Sequence, residues 1–390
     1  MIEPKFFIDN LKKQGVEFYA GVPDSLLKNI CAYITDYVSA ENNIIAANEG
    51  NAVGLASGHY LATGKPGMVY MQNSGEGNIV NPLLSLADED VYSIPMLLLI
   101  GWRGEPGVHD EPQHVKQGKV TLSLLDSMGV AYDILSDDDA KASIQINTAC
   151  EYMSVNSKPY ALVVRKGTFA DYKLQNVSVP KYALSREDAI KTVVDCLNES
   201  DIVVSTTGMI SRELFEYREF TKQGHANDFL TVGSMGHASQ IALGIALNKP
   251  DRRVFCFDGD GAMIMHMGGM AIIGSYNPKN YIHIVFNNGA HDSVGGQPTV
   301  GQNIDIPSLA KALNYTNVYS VDSKEAIKSV LSEINTNACA HAGCTLININ
   351  VKKGNRKDLG RPTTTPKQNK QAFMRNMKSV SFPKNQTVKN

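Results

Sequence analysis

A chain of 390 residues has room for two or three domains at roughly 100–200 residues each, every one large enough to bury a core. Hydrophobic residues at 43%, charged residues at 19% and 32 glycines exclude a disordered chain and fit a globular protein rich in tight turns. The longest apolar run, near residues 94–101, is far short of the ~20 residues that span a bilayer, and Met1-Ile2-Glu3-Pro4-Lys5 lacks the basic-then-apolar pattern of a secretion signal, so a cytoplasmic protein without a membrane partner is expected.

In chain order the pattern predicts a helix over 8–14, a short strand over 17–20 ending in Gly21-Val22-Pro23-Asp24, and a helix over 25–33. A strand over 44–47, a helix over 50–62, a strand over 67–72, a helix over 79–86 and a strand over 96–100 follow. After a strand over 160–165 comes a polar break near 171–185 with Pro180. The alternation then restarts with a helix over 186–197, a strand over 202–205, the turn Thr206-Thr207-Gly208 and a helix from Ser211. A helix over 237–247, strands over 253–257, 281–286 and 345–351, and a helix over 265–274 complete it. Such alternation with short turns predicts parallel sheets covered by helices on both faces, in two α/β domains of similar size and order. Residues 351–390 carry eleven Lys/Arg against one acid, Asp358, so this tail holds +10 and residues 1–350 hold −12. A basic arm of this kind binds nucleic acid, lies on the acidic body or holds an anionic substrate. No nucleic-acid-binding motif accompanies it, so no nucleic-acid partner is expected. Six cysteines without CxxC spacing, mostly in apolar contexts, are expected to be buried reduced thiols.

The glycine-rich stretches do not bind dinucleotides or ATP. Gly75-Glu76-Gly77 has Val80, and Gly259-Asp260-Gly261 has Ile264, where the dinucleotide fingerprint needs a third glycine; no Ser or Thr follows Lys65 as a P-loop requires. The sharpest local signal is the apolar strand over 253–257 that runs into Asp258-Gly259-Asp260-Gly261, because open α/β sheets bind ligands at the carboxyl ends of their strands. Mg²⁺ takes oxygen ligands, commonly one or two protein carboxylates together with phosphate oxygens. The strand over 281–286 ends in Asn287-Asn288-Gly289, which brings a neutral carboxamide to the same edge after 25 intervening residues. Taken alone, Gly-Asp-Gly also reads as an ordinary turn, and Asp-x-Asp-Gly after a strand also marks phosphatases of the haloacid dehalogenase type, although Ala262 stands where their threonine is expected.

Gly259-Asp260-Gly261 followed at this spacing by Asn287-Asn288 resembles the thiamine diphosphate motif, and the likeness spans roughly residues 15 to 365. Asn48-Glu49-Gly50-Asn51-Ala52 is similar to the start of the glutamate helix of thiamine diphosphate decarboxylases, and Gly233-Ser234-Met235-Gly236 to the loop beneath the bent cofactor. Gly21 to Leu27, Trp102-Arg103-Gly104, His109 to His114, Thr207 to Leu214, Asn287 to Thr299 and Leu359 to Thr363 resemble the phosphonopyruvate and sulfopyruvate decarboxylases.

This resemblance implies two doubly wound parallel-sheet domains of the thiamine diphosphate-binding fold. They are a pyrimidine-binding domain over 1–172, a linker over 173–185, a diphosphate-binding domain over 186–355, and then the basic tail over 356–390. It implies thiamine diphosphate and Mg²⁺ as cofactors, a homo-oligomer of at least two subunits, and a small phosphonate 2-oxoacid as substrate. Glu49, otherwise a carboxylate favoured by a helix dipole, becomes the hydrogen-bond partner of the aminopyrimidine ring. Met235, otherwise a packing residue, becomes the wedge that bends the cofactor. The implied metal ligands are Asp260, Asn288 and the carbonyl of Ala290, with Asn287 open as the alternative to Asn288. Gly208, Gly233, Gly259 and Gly261 are implied cofactor contacts, and Asp24, His114, His291 and Asp292 further catalytic residues. His109 and His114 are expected in the loop after Arg103. Ser25, Arg103, His109, Arg356 and Arg361 are implied substrate contacts, since a phosphonate needs several N–H donors and arginine supplies a fork of them. The joining of both domains in one chain points to phosphonate over sulfonate, because sulfopyruvate enzymes often divide them between two chains.

Overall fold

The computed structural model describes residues 1–176, 180–336 and 342–379. Two compact units divide the chain, one of residues 1–179 with 290–299, the other of 180–289 with 300–390.

The first unit runs α1 (Pro4–Lys13), β1 (Tyr19–Gly21), α2 (Lys28–Tyr37), β2 (Asn43–Ile45), α3 (Glu49–Thr63), β3 (Met68–Gln72), α4 (Glu76–Pro82), β4 (Leu97–Gly101), α5 (Pro112–Ser127), β5 (Ala131–Ile134), α6 (Asp139–Asn156) and β6 (Tyr160–Val164). Its six strands are all parallel in the order β2-β1-β3-β4-β6-β5. Alternate residues of the central strands feed two cores. Leu97, Leu99 and Leu162 join one, while Leu98, Ile100, Ala161 and Val163 join the other. That is why β4 and β6 read as continuous apolar runs: both faces of the sheet are covered by helices.

The second unit contains α7 (Arg186–Val194), β7 (Ile202–Ser205), α8 (Met209–Thr221), β8 (Asp228–Leu230), α9 (Ala238–Asn248), β9 (Val254–Gly259), α10 (Asp260–Met265), α11 (Gly268–Tyr276) and β10 (Tyr281–Asn287). A two-stranded ribbon, β11 (Ala290–His291) with β12 (Gln297–Pro298), is counted with the first unit. The chain then returns through α12 (Ile306–Ala312), β13 (Asn317–Val321), α13 (Lys324–Thr336), β14 (Thr345–Asn350) and α14 (Pro366–Ser379). The sheet is again six parallel strands, ordered β13-β14-β10-β9-β7-β8. Two doubly wound parallel sheets are therefore present, as the alternating pattern predicts. No helix among the described residues is long and apolar enough to cross a membrane.

Several elements differ from their sequence expectation. The helix expected over 79–86 starts already at Glu76, and at Pro82, which lacks an amide hydrogen, it gives way to a wider turn over Leu83–Ala87. The helix expected over 265–274 begins only at Gly268, and a separate short helix over Asp260–Met265 precedes it, with the break around His266. The helices α5, α6, α12, α13 and α14 and the strands β5, β8, β11, β12 and β13 carry no expectation. In α6 the buried face is Ala142, Ile146, Ala149 and Met153, so two alanines dilute the apolar stripe, although Asp138 caps the helix by accepting from Lys141 N–H at 3.0 Å. Part of the basic tail is not an arm. Phe373 of α14 enters the core beside Phe229, with ring centroids 5.6 Å apart, and Asn369 of the same helix bonds the outer edge of β8 twice, accepting from Leu230 N–H at 3.1 Å and donating to Asp228 O at 2.8 Å. This covers a sheet edge that would otherwise present unpaired backbone groups. Residues 380–390, with Lys384 and Lys389, and Cys339 lie outside the described residues; Cys31, Cys150, Cys196, Cys256 and Cys344 are free thiols, three of them buried.

Candidate active site

Each sheet has a switch point where successive connections leave in opposite directions, between β1 and β3 in the first unit and between β7 and β9 in the second. Loops at the carboxyl ends of those strands form the crevice in which such sheets bind ligands. Of the expected site residues, Asp24 and Ser25 follow β1, Gly208 follows β7, and Gly259, Asp260 and Gly261 stand at the end of β9.

In the first unit, Asp24 follows β1 and is fully buried, accepting from Gln72 Nε2 at 2.5 Å and Leu26 N–H at 2.9 Å. Burial pushes its carboxyl pKa up, partly offset by those bonds and by Arg103. Glu49 is the first residue of α3, whose cap Asn48 accepts from Asn51 N–H at 3.0 Å. It is 5% exposed, and its Oε2 accepts from Asn78 Nδ2 at 2.6 Å. The turn before α4 packs directly on this carboxyl: a Cβ on Gly75 would lie 2.4 Å from Glu49 Oε1, so only glycine leaves Glu49 where it is.

Glu76, next along, has no role in the sequence reading and is 1% exposed, with no hydrogen-bond partner for either oxygen among the described residues. The hydroxyl of Thr121 donates to Gln117 O and accepts from Asn73 Nδ2, both at 2.9 Å, so it does not donate to the carboxylate. Burial pushes the Glu76 carboxyl from the ordinary value near 4.5 up to about 8. Between those values the folded chain keeps a proton that the unfolded chain has lost, so stability falls as pH rises through this window. Thermal melts are expected to show Glu76→Gln gaining on the parent protein from pH 5 to 8, and parallel pH profiles would refute a neutral buried Glu76.

In the second unit, Gly208 precedes α8 with φ 97° and ψ −139°, a backbone open only to glycine. Thr207 Oγ1 accepts from Gly233 N–H at 3.0 Å, tying that turn to the loop of Met235. Gly233, Ser234 and Gly236 all have positive φ, and a Cβ on Gly236 would lie 2.6 Å from the His266 ring. The half-buried Met235 is thus presented on a backbone shaped by its neighbours. Asp260 is 2% exposed at the start of α10, and its Oδ1 lies 3.4 Å from Asn288 N. Gly301 backs this carboxylate so closely that a Cβ there would sit 2.4 Å from Oδ2. Asn287 donates to Gly301 O at 2.7 Å and accepts from Gly289 N–H at 3.2 Å, so both ends of its amide serve the turn. Behind the turn, Asp258 accepts from Gly259 N–H at 3.0 Å and faces His283 Nε2 at 3.3 Å, whose Nδ1 lies 3.2 Å from Tyr315 OH. A buried carboxylate, a carboxamide and a glycine-lined cradle are a donor set that fits a hard cation with a diphosphate.

The remaining candidates divide. Ala290, His291 and Asp292 begin the ribbon counted with the first unit, and burial pushes the His291 imidazole down to about 4, so it is neutral at pH 7. His114 is not in a loop: it lies in the first turn of α5, 8% exposed, because Pro112 starts that helix two residues earlier. Arg103 is engaged by Asp110 through Nε at 2.7 Å and through Nη2, and its Nη1 donates to Ser25 at 2.7 Å. Burial would raise the Asp110 carboxyl, but Arg103 and the N–H groups of Glu111 and Gly104 outweigh it and hold it well below the usual range. Arg356 pairs with Glu187, Glu216 and Asp358 on the second unit, which occupies its charge; Arg361 and His109 are exposed.

Two parallel sheets of like order, each with its polar loops at the switch point, define the class of two-domain thiamine diphosphate enzymes. Residues 4–125 match the thiamine pyrophosphate enzyme N-terminal TPP binding domain, and residues 206–349 the C-terminal TPP binding domain. The chain is 33% identical over 387 residues to a phosphonopyruvate decarboxylase of Streptomyces viridochromogenes, covering 94% of this chain and 92% of that one. The phosphonopyruvate decarboxylase of Streptomyces hygroscopicus is 33% identical over 388 residues, with the same two coverages of 94% and 92%. The sulfopyruvate decarboxylase of Methanosarcina acetivorans is 31% identical over 344 residues, covering 82% of this chain and 84% of that one. The chain belongs to this family and is a thiamine diphosphate-dependent decarboxylase of the phosphonopyruvate and sulfopyruvate type. The phosphatase alternative for Asp260 falls, since the segment that carries it matches a thiamine diphosphate-binding domain.

Proposed function

We propose that the enzyme decarboxylates phosphonopyruvate to phosphonoacetaldehyde and CO₂, using thiamine diphosphate and Mg²⁺, in the synthesis of 2-aminoethylphosphonate. The observation that carries this reading is the match to two phosphonopyruvate decarboxylases along 94% of the chain. The working form is a cytoplasmic homo-oligomer of at least two subunits, with residues 1–172 serving the pyrimidine and 186–355 the diphosphate.

Bound thiamine diphosphate supplies the electron sink for the pair released as CO₂ leaves, which no side chain offers at pH 7. Glu49 then carries and exchanges a proton at Oε1 or Oε2, with Asn78 and Gly75 fixing the direction of its carboxyl. Asp260, Asn288 and the carbonyl of Ala290 hold Mg²⁺. Gly208, Gly233, Gly259 and Gly261 would let the backbone come close to the cofactor, and Met235 would support it from its loop. Asp24, His114, His291 and Asp292 are the polar groups that would position the substrate or move its proton.

The joining of both domains in one chain does not separate the two substrates, since the Methanosarcina sulfopyruvate enzyme is matched across 82% of this chain. The distal group must decide. Phosphonopyruvate is expected to give the highest kcat/KM, sulfopyruvate a lower one, and pyruvate the lowest. The methyl group of pyruvate leaves buried donors unpaired at a cost of ~1–3 kcal/mol each, about ten- to a hundredfold in rate. Side-by-side specificity constants test this, and a sulfopyruvate value equal to or above that of phosphonopyruvate would reassign the substrate while leaving the cofactor chemistry in place.

A further inference from the structure

Beside Asp24, within the first unit, the carboxyl ends of β4 and β6 enclose a cavity of about 210 Å³ lined by Leu26, Trp102, Arg103, Glu105, His109 and Lys166, among others. That is room for several waters or for a small organic anion. The two strands are neighbours with Gly101 opposite Val164, and Trp102 N–H donates to Val164 O at 2.8 Å, so residues 102–110 and 165–166 leave the sheet side by side.

The charges around this space are mostly matched in pairs. Arg103 is bound by Asp110, and Ser25 takes a third of its five N–H donors, which immobilises the guanidinium at the cavity wall. Arg165 pairs with Glu105 at 2.7 Å and lies over the Trp102 ring, 5.9 Å from its centroid. Its neighbour Lys166 lines the cavity and makes no ion pair among the described residues. The two arginines thus each face a carboxylate, whereas the exposed Lys166 at the rim does not.

We propose that this cavity receives the distal phosphonate of the substrate, with Lys166 supplying the compensating charge and Arg103, held by Asp110 and Ser25, the directed N–H donors. The assignment rests on the phosphonopyruvate reading above. A dianion gains from an unmatched ammonium about twice the attraction that a monoanion gains at the same distance, and a fixed guanidinium donates without losing further side-chain freedom. Lys166 therefore sets specificity by charge, and Arg103 by geometry.

The test uses the cofactor-loaded enzyme and three variants, Lys166→Met, Lys166→Arg and Asp110→Asn. Lys166→Met is expected to lower the ratio of kcat/KM for phosphonopyruvate to that for pyruvate by about 10–100-fold, chiefly through KM, and Lys166→Arg to recover most of it. Asp110→Asn is expected to lower the same ratio by loosening Arg103. Phosphonoacetate, which carries the phosphonate but no 2-oxo group, is the independent probe: calorimetry is expected to show it binding to the parent enzyme and much more weakly to Lys166→Met, at unchanged thiamine diphosphate affinity. Unchanged phosphonoacetate binding and an unchanged ratio in Lys166→Met, in an enzyme that turns over phosphonopyruvate, would overturn the cavity assignment alone. An enzyme that ignores phosphonopyruvate would overturn the substrate reading, and Lys166-dependent phosphonoacetate binding would then still support an anion subsite.

Discussion

Replacing Glu49 by glutamine is expected to abolish decarboxylation while thiamine diphosphate still binds. The amide keeps the size of the side chain and can keep an oxygen toward Asn78 Nδ2, which sits 2.6 Å from Oε2, so the turn against Gly75 remains in place. What it loses is the exchangeable proton. Removing a positioned proton carrier costs typically 10²–10⁴-fold, and the loss belongs in kcat because ground-state binding is untouched. Single-turnover rates with cofactor affinity measured in parallel would show this, and near-normal turnover would remove Glu49 from the catalytic role.

Asp260→Ala is expected to abolish Mg²⁺-dependent binding of thiamine diphosphate. The carboxylate is 2% exposed and walled by Gly301, so no exposed side chain or bulk water takes its place without rearrangement of that loop. Without the cation, the diphosphate charges would face a chain whose first 350 residues carry −12. Calorimetric titration of the cofactor with and without Mg²⁺ measures the effect, and affinity equal to that of the parent would contradict it. Asn288→Ala is expected to follow the same direction to a smaller extent, because it removes a neutral ligand.

The alternation of apolar strands and amphipathic helices was enough to read two parallel α/β sheets, since strands buried on both faces must be apolar at nearly every position. The loops after β1, β7, β9 and β10 were legible as well, because glycines, carboxylates and carboxamides at strand ends violate the apolar run that precedes them, whereas the turn after β3, with Gly75 and Glu76 against Glu49, was not. Elements whose buried face is small or short were not. The helix α6 packs partly through alanines, and β8 is a three-residue strand whose edge is closed from 139 residues away in sequence by Asn369.

The sequence by itself thus determined the two sheets and the order of the motifs along the chain, and through the resemblance of those motifs the cofactor class. Only the tertiary structure decided which charges are available. Arg103 and Arg356, both implied substrate contacts by resemblance, are bound by Asp110 and by Glu187, Glu216 and Asp358, while Lys166, which no motif distinguishes, lines the cavity beside Arg103. The same holds for Glu76, whose proton affinity comes from burial, and for α14, whose basic residues flank the apolar contact that docks it. Charge and burial depend on neighbours that the fold brings together from distant parts of the chain, and local pattern does not record that proximity.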